Sequence, residues 1–112
     1  MAKKLAFISL FLIVAAGLWS AEGDSVFEIT NATGFVLEAV YIGSADSNVW
    51  NDDLLQGNPL LDGETLRIPL LSLEAAIVNV RARDEEGDTY TVWGVNAETE
   101  DIEIALTDID PD

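Results

Sequence analysis

The chain has 112 residues with no Cys and no His, and 21 acidic against 5 basic side chains give it a net charge of −16. A surface of that sign repels phosphate backbones and anionic headgroups, which argues against nucleic-acid binding and against attachment to anionic membranes. The missing residue types remove disulfides, the usual zinc and redox-metal ligands, the commonest general base and the most reactive nucleophile.

The first segment, MAKKLAFISLFLIVAAGLWSAEGD, has Lys3 and Lys4, an apolar run from Leu5 to Ala16, then small residues at Gly17, Ser20 and Ala21. That order is expected of a secretory signal peptide, residues 1–21, cleaved between residues 17 and 22. A transmembrane anchor is the competing reading, but the run falls short of the roughly 20 residues that span a bilayer. No stable membrane insertion is expected after cleavage. The protein is then exported, periplasmic or extracellular, and about 90 residues remain, near the lower limit for a self-sufficient core. Removing Lys3 and Lys4 leaves Arg67, Arg81 and Arg83 as the basic side chains.

Residues 25–107 read as strands and turns. VFEIT alternates, with Phe27 and Ile29 on one face. NATG predicts a turn into the strand FVLEAVYI, and Asn31-Ala32-Thr33, though it matches a glycosylation sequon, reads as turn chemistry. Pairing these two strands as a hairpin sets Ile29 against Leu37 and Phe27 against Ala39. It also sets Glu28 against Glu38, a like-charge pair that needs water, a cation or another register. Residues 43–63 predict a long connection with a short helical turn near 48–55, capped by Ser47 or Asn48, with Trp50 and Leu54 on one face. TLRIPLL predicts an edge strand, because Pro69 cannot donate a ladder hydrogen bond. DIEIALT predicts a last strand with Ile102, Ile104 and Leu106 inward. Residues 108–112 predict a frayed acidic tail.

AIVNVRAR and TYTVWGV give the clearest hairpin. A three-residue loop, Glu85-Glu86-Gly87, with Gly87 left-handed, pairs Asp84 with Asp88, Ala82 with Tyr90, Val80 with Val92 and Val78 with Gly94. The opposite face then pairs Arg83 with Thr89, Arg81 with Thr91 and Asn79 with Trp93. One turn choice sorts both strands, so Gly87 has a backbone reason to be there. The acidic residues at the tip have none of their own. Asp84, Glu86 and Asp88 are candidate calcium ligands, beside Glu85, and Asp52, Asp53, Asp108, Asp110 or Asp112 could complete the roughly six to eight oxygens calcium takes. The EF-hand spacing is not met, and a solvated charged tip is the simpler expectation.

The stretches VYIGSADSNVWNDDLL and RARDEEGDTYTVWGV together resemble a small domain of exported bacterial proteins, in which a Trp-Asp-Leu segment precedes an arginine-bearing strand, a GDTY turn and a Gly-Val strand. The resemblance spans most of residues 26–107. It implies a β-sandwich and a bacterial exported context, and no functional residues.

The expected fold is therefore all-β: a single small antiparallel β-sandwich of six or seven strands. Catalysis is not expected, since no His, Cys or post-cleavage Lys remains and the domain is too small for a deep cleft. The simplest role is a non-enzymatic protein-interaction or structural module; a carbohydrate- or calcium-binding module is the alternative. Trp50 reads as a plug for an open sheet edge. Trp93 reads either as a side chain buried beneath the second sheet or as an exposed ring for a sugar or partner.

Overall fold

The computed structural model describes residues 25–112, and the signal-peptide segment 1–21 lies outside them. The described residues are all-β, with six strands: β1 Val26–Ala32, β2 Leu37–Ser44, β3 Thr65–Pro69, β4 Ile77–Asp84, β5 Thr89–Asn96 and β6 Ile102–Ala105. They form two three-stranded sheets, ordered β3-β1-β6 and β2-β4-β5. Phe27, Ile29, Ile68 and Ile104 from the first sheet and Val40, Ile42, Val80, Ala82 and Tyr90 from the second belong to one buried cluster. Their period-2 spacing puts them on one face of each strand.

The expected β1–β2 hairpin does not form. β1 runs antiparallel to β3 and parallel to β6, while β2 runs antiparallel to β4. The expectation of a wholly antiparallel fold fails at the β1–β6 pair. The NATG turn carries the chain from one sheet to the other, and the side chain of Asn31 organises it. Asn31 is fully buried. Its amide donates to the carbonyls of Phe35 (2.7 Å) and Leu60 (2.9 Å), and its oxygen accepts from the N–H (3.0 Å) and hydroxyl (2.7 Å) of Thr33. Both amide hydrogens are used, so the sequon serves as turn chemistry. The like-charge problem disappears with the hairpin. Glu28 lies opposite Arg67 and pairs with it at 2.7 Å, and Glu38 pairs with Arg83 at 3.0 Å.

The β4–β5 hairpin keeps its expected register from Arg83–Thr89 to Val80–Val92. Beyond it β5 carries an extra residue, so Val78 pairs with Val95 rather than Gly94. The side chain of Asn79 fills the gap by accepting the Gly94 N–H at 2.9 Å. At the tip Gly87 has φ +92° and donates to the Asp84 carbonyl at 3.0 Å, the left-handed position that favours glycine.

The β2 and β5 edges are covered by the chain's own connections, as open edges invite unwanted pairing. β3 is an edge strand, as Pro69 requires. Residues 49–60 run along β2: Asn51 donates to the Ile42 carbonyl (2.9 Å), Leu54 to that of Val40 (2.8 Å), and Leu60 bridges Leu37. No helix forms at 48–55; among the described residues the helical pieces are 3₁₀ turns at Leu70–Ser72 and Leu106–Asp108. The backbone hydrogen bonds made to β2, together with the Asp53 carboxylate accepting from Val40 and Leu55 (both 2.9 Å), hold residues 49–53 along the strand, and residues 54–57 make a turn closed by the Asn58 N–H on the Leu55 carbonyl (2.9 Å). Leu106 begins the second 3₁₀ turn and is half exposed, not inward. The tail is not frayed at Ile109 and Asp110, which dock on β5 through an Ile109–Tyr90 bridge and an Asp110 N–H bond to the Thr89 carbonyl (2.8 Å). Among the described residues no helix is long and apolar enough to cross a membrane.

Candidate functional site

The acidic tip is built around Asp84, which sits on the inward face of β4 and is 1 % exposed. A buried carboxylate must be hydrogen-bonded. Its Oδ1 accepts the N–H groups of Glu86 (2.9 Å) and Asp88 (3.0 Å), and its Oδ2 accepts the Tyr90 hydroxyl (2.7 Å). Burial, the hydrogen bond to Asp84 and the charges of Asp84, Asp88 and Glu86 push the Tyr90 phenol well above its ordinary pKa. Asp84 thus closes the turn from inside, while Glu85 and Glu86 are exposed and Asp88 is half-buried. Of the acids proposed to complete a calcium site, Asp53 is engaged with Val40 and Leu55, Asp108 accepts the Ala105 N–H (2.9 Å), and Asp110 accepts the hydroxyls of Thr89 (2.8 Å) and Thr91 (2.7 Å). Among the described residues no three acidic side chains converge as a metal-holding group.

The second candidate lies on the outer face of the β2-β4-β5 sheet. Strand register lines up Tyr41, Arg81 and Thr91 in one row and Ala39, Arg83 and Thr89 in the next. Arg81 is the centre. Its Nε donates to Thr91 Oγ1 at 2.9 Å and lies 3.8 Å from Asp110 Oδ2. Its guanidinium stands over Trp50, 4.7 Å from the ring centroid, and near Trp93, at 5.9 Å. Both distances fall within the range of cation–π attraction. Arg83 is tied to Glu38 and donates to the Tyr41 hydroxyl at 3.3 Å; the Glu38 hydrogen bond is the first cause of its raised pKa.

Trp50 reaches this face because Gly43, beneath it on β2, has no side chain. A Cβ at position 43 would run into the Val49 carbonyl and meet the Trp50 ring edge at 3.5 Å. The segment around Trp50 covers the β2 edge, as expected of a plug, but the ring itself turns outward onto Arg81. Trp93 is 64 % exposed, so the reading that buries it beneath the second sheet is wrong. Strand alternation alone puts Trp93 beside Arg81 and Asn79. The joining of Trp50 and Asp110 to the same face was not legible, because neither belongs to a periodic segment.

No family model, curated protein or solved structure matches the chain.

Proposed function

We propose that the protein is an exported, non-enzymatic interaction module whose two sheets are the layers of a small sandwich, and that it holds a protein partner on the outer face of the β2-β4-β5 sheet. The observation that carries this reading is Trp93, a large aromatic 64 % exposed and stationed against an arginine that Thr91 and Trp50 already hold. Trp, Tyr and Arg are the side chains that most often dominate binding energy at protein interfaces. A face already ordered by its own hydrogen bonds loses less side-chain freedom on binding. Export is supported by the Lys3-Lys4 start and the short apolar run. The absence of His and Cys supports a role without catalysis.

Immobilised wild type, Trp93→Ala and Arg67→Ala, exposed to an envelope extract of the host, test the assignment. A partner kept by wild type and Arg67→Ala but lost by Trp93→Ala is the expected result. Equal retention by all three would remove this face from the interaction. A glycan array gives the carbohydrate reading its own test, since glycan binding lost in Trp93→Ala would replace a protein partner with a sugar stacked on the same ring.

A further inference from the structure

Arg67, Arg81 and Arg83 are the only basic side chains of the described residues, and two of them are hydrogen-bonded to a carboxylate. Arg67 meets Glu28 through Nη1 at 2.7 Å, and Arg83 meets Glu38 through Nε at 3.0 Å. Arg81 differs. Its Nε donates to Thr91 Oγ1 at 2.9 Å, while Asp110 Oδ2 stands 3.8 Å off and accepts the hydroxyls of Thr89 and Thr91 instead. Among the described residues Nη1 and Nη2 of Arg81 have no hydrogen-bond partner, and no side-chain nitrogen or oxygen is buried without one. Both terminal nitrogens therefore reach the surface, although the side chain as a whole is only 33 % exposed. In a protein so rich in acids, the arginine held by two tryptophans lacks a carboxylate of its own.

A guanidinium carries its N–H donors in one plane, and Arg81 uses only the one on Nε. Stacking on aromatic rings uses the faces of the group and leaves that plane free. Trp50 at 4.7 Å and Trp93 at 5.9 Å thus hold the arginine in place without consuming a donor. Thr91 and Asp110 lie at the Nε end. At the other end the two terminal nitrogens form a fork that matches both oxygens of a carboxylate. Indole rings beside the fork keep water back and strengthen such a bond. The Trp93 ring, 64 % exposed, adds apolar area for a neighbouring side chain. The net charge of −16 favours basic groups elsewhere on the surface, but a lysine placed at the fork would meet a like charge. At roughly 0.15 M salt the Debye length is about 8 Å, so remote carboxylates are screened and the nearest groups decide what binds here.

We infer that Arg81 receives one side-chain carboxylate of the partner polypeptide, with its two oxygens on Nη1 and Nη2 and an apolar neighbour of that residue on Trp93. The inference rests on the outer face of the β2-β4-β5 sheet being the partner-binding face, and adds the chemistry that the partner brings to it.

The test is a nuclear magnetic resonance titration of the purified protein, at roughly 0.15 M salt, with a blocked Gly-Leu-Glu-Leu-Gly peptide and with the same peptide carrying glutamine or lysine in place of glutamate. The glutamate peptide should shift the Arg81 Nε–H and the indole N–H resonances of Trp50 and Trp93 saturably. The glutamine and lysine peptides should bind about fivefold more weakly. Arg81→Lys keeps a cation and loses the fork, so it should abolish the preference for glutamate, read at the two indoles; Arg67→Ala should retain it. The absence of a saturable shift, equal affinity for the glutamate and glutamine peptides, tighter binding of the lysine peptide, or a glutamate preference that survives Arg81→Lys would overturn the inference. An envelope partner lost by Trp93→Ala but kept by Arg81→Lys would remove the carboxylate and leave the Trp93 face standing. A glutamate preference abolished by Arg81→Lys, in a protein whose envelope partner ignores Trp93, would do the reverse.

Discussion

Tyr90 donates its phenolic hydrogen to Asp84 across 2.7 Å, and both side chains are about 1 % exposed. The pair lies where the sequence suggests a charged loop tip, and it makes the hairpin sensitive to alkali. Burial and the neighbouring carboxylate raise the Tyr90 pKa in the folded state above its unfolded value of about 10. The folded state therefore binds the proton more tightly. This contribution is fully present below pH about 10 and is lost as the pH rises through the folded value. Urea unfolding at a series of alkaline pH values should show stability falling from pH about 10 upward. Tyr90→Phe should be less stable at neutral pH and flatter in alkali. An unchanged alkaline slope in Tyr90→Phe would remove Tyr90 as the titrating group.

Asp84 anchors three hydrogen bonds from a buried position, so Asp84→Ala should cost about 3 kcal/mol, as expected when donors lose a charged acceptor. Glu86→Ala, at an exposed site of the same tip, should stay within about 0.5 kcal/mol of wild type. Chemical denaturation of both variants compares them directly. Similar losses at the two positions would contradict the division of this acidic stretch into one internal and several solvated carboxylates.

Calcium follows from the same geometry. Because both oxygens of Asp84 are engaged, calcium and magnesium should raise the melting temperature equally at matched ionic strength, through screening of the −16 charge alone. A saturable excess for calcium, abolished by Asp88→Asn, would instead establish a specific site.

Gly87 has φ +92° with open space where a Cβ would stand, so Gly87→Ala suffers from backbone strain and not from collision. The expected loss is about 1 kcal/mol. A melting temperature equal to that of wild type would show that the turn accepts another conformation.

The C-terminal segment is a structural part of β5's edge. Asp110→Ala leaves the hydroxyls of Thr89 and Thr91 without their acceptor and should cost about 1–2 kcal/mol, with faster hydrogen exchange of the backbone amide at position 110. Wild-type exchange of the backbone amide at position 110 in that variant would return residues 108–112 to the status of a loose tail.

Local rules carried the reading of this chain as far as short-range pairing reaches. Alternation in residues 77–96 determined which side chains of β4 and β5 face inward, and Gly87 determined where the turn falls, because both depend on neighbours a few residues apart. Pro69 likewise marked β3 as an edge from its own missing N–H. The pairing of β1 was a different matter. Period-2 alternation tells which face of Val26–Ala32 is buried, but it leaves open which strand lies beside it, and adjacency in sequence suggested β2. The clash of Glu28 with Glu38 was a sign that this pairing was wrong. Only the tertiary arrangement supplies Arg67 to one and Arg83 to the other, from 39 and 45 positions away along the chain. The same holds for Asp84, whose burial depends on Tyr90 folding over it, and for Arg81, which meets Trp50 from an aperiodic connection and Asp110 from the tail. A charged side chain's place is set by the partners that desolvation requires it to find, and those partners are brought together only when the sheets assemble.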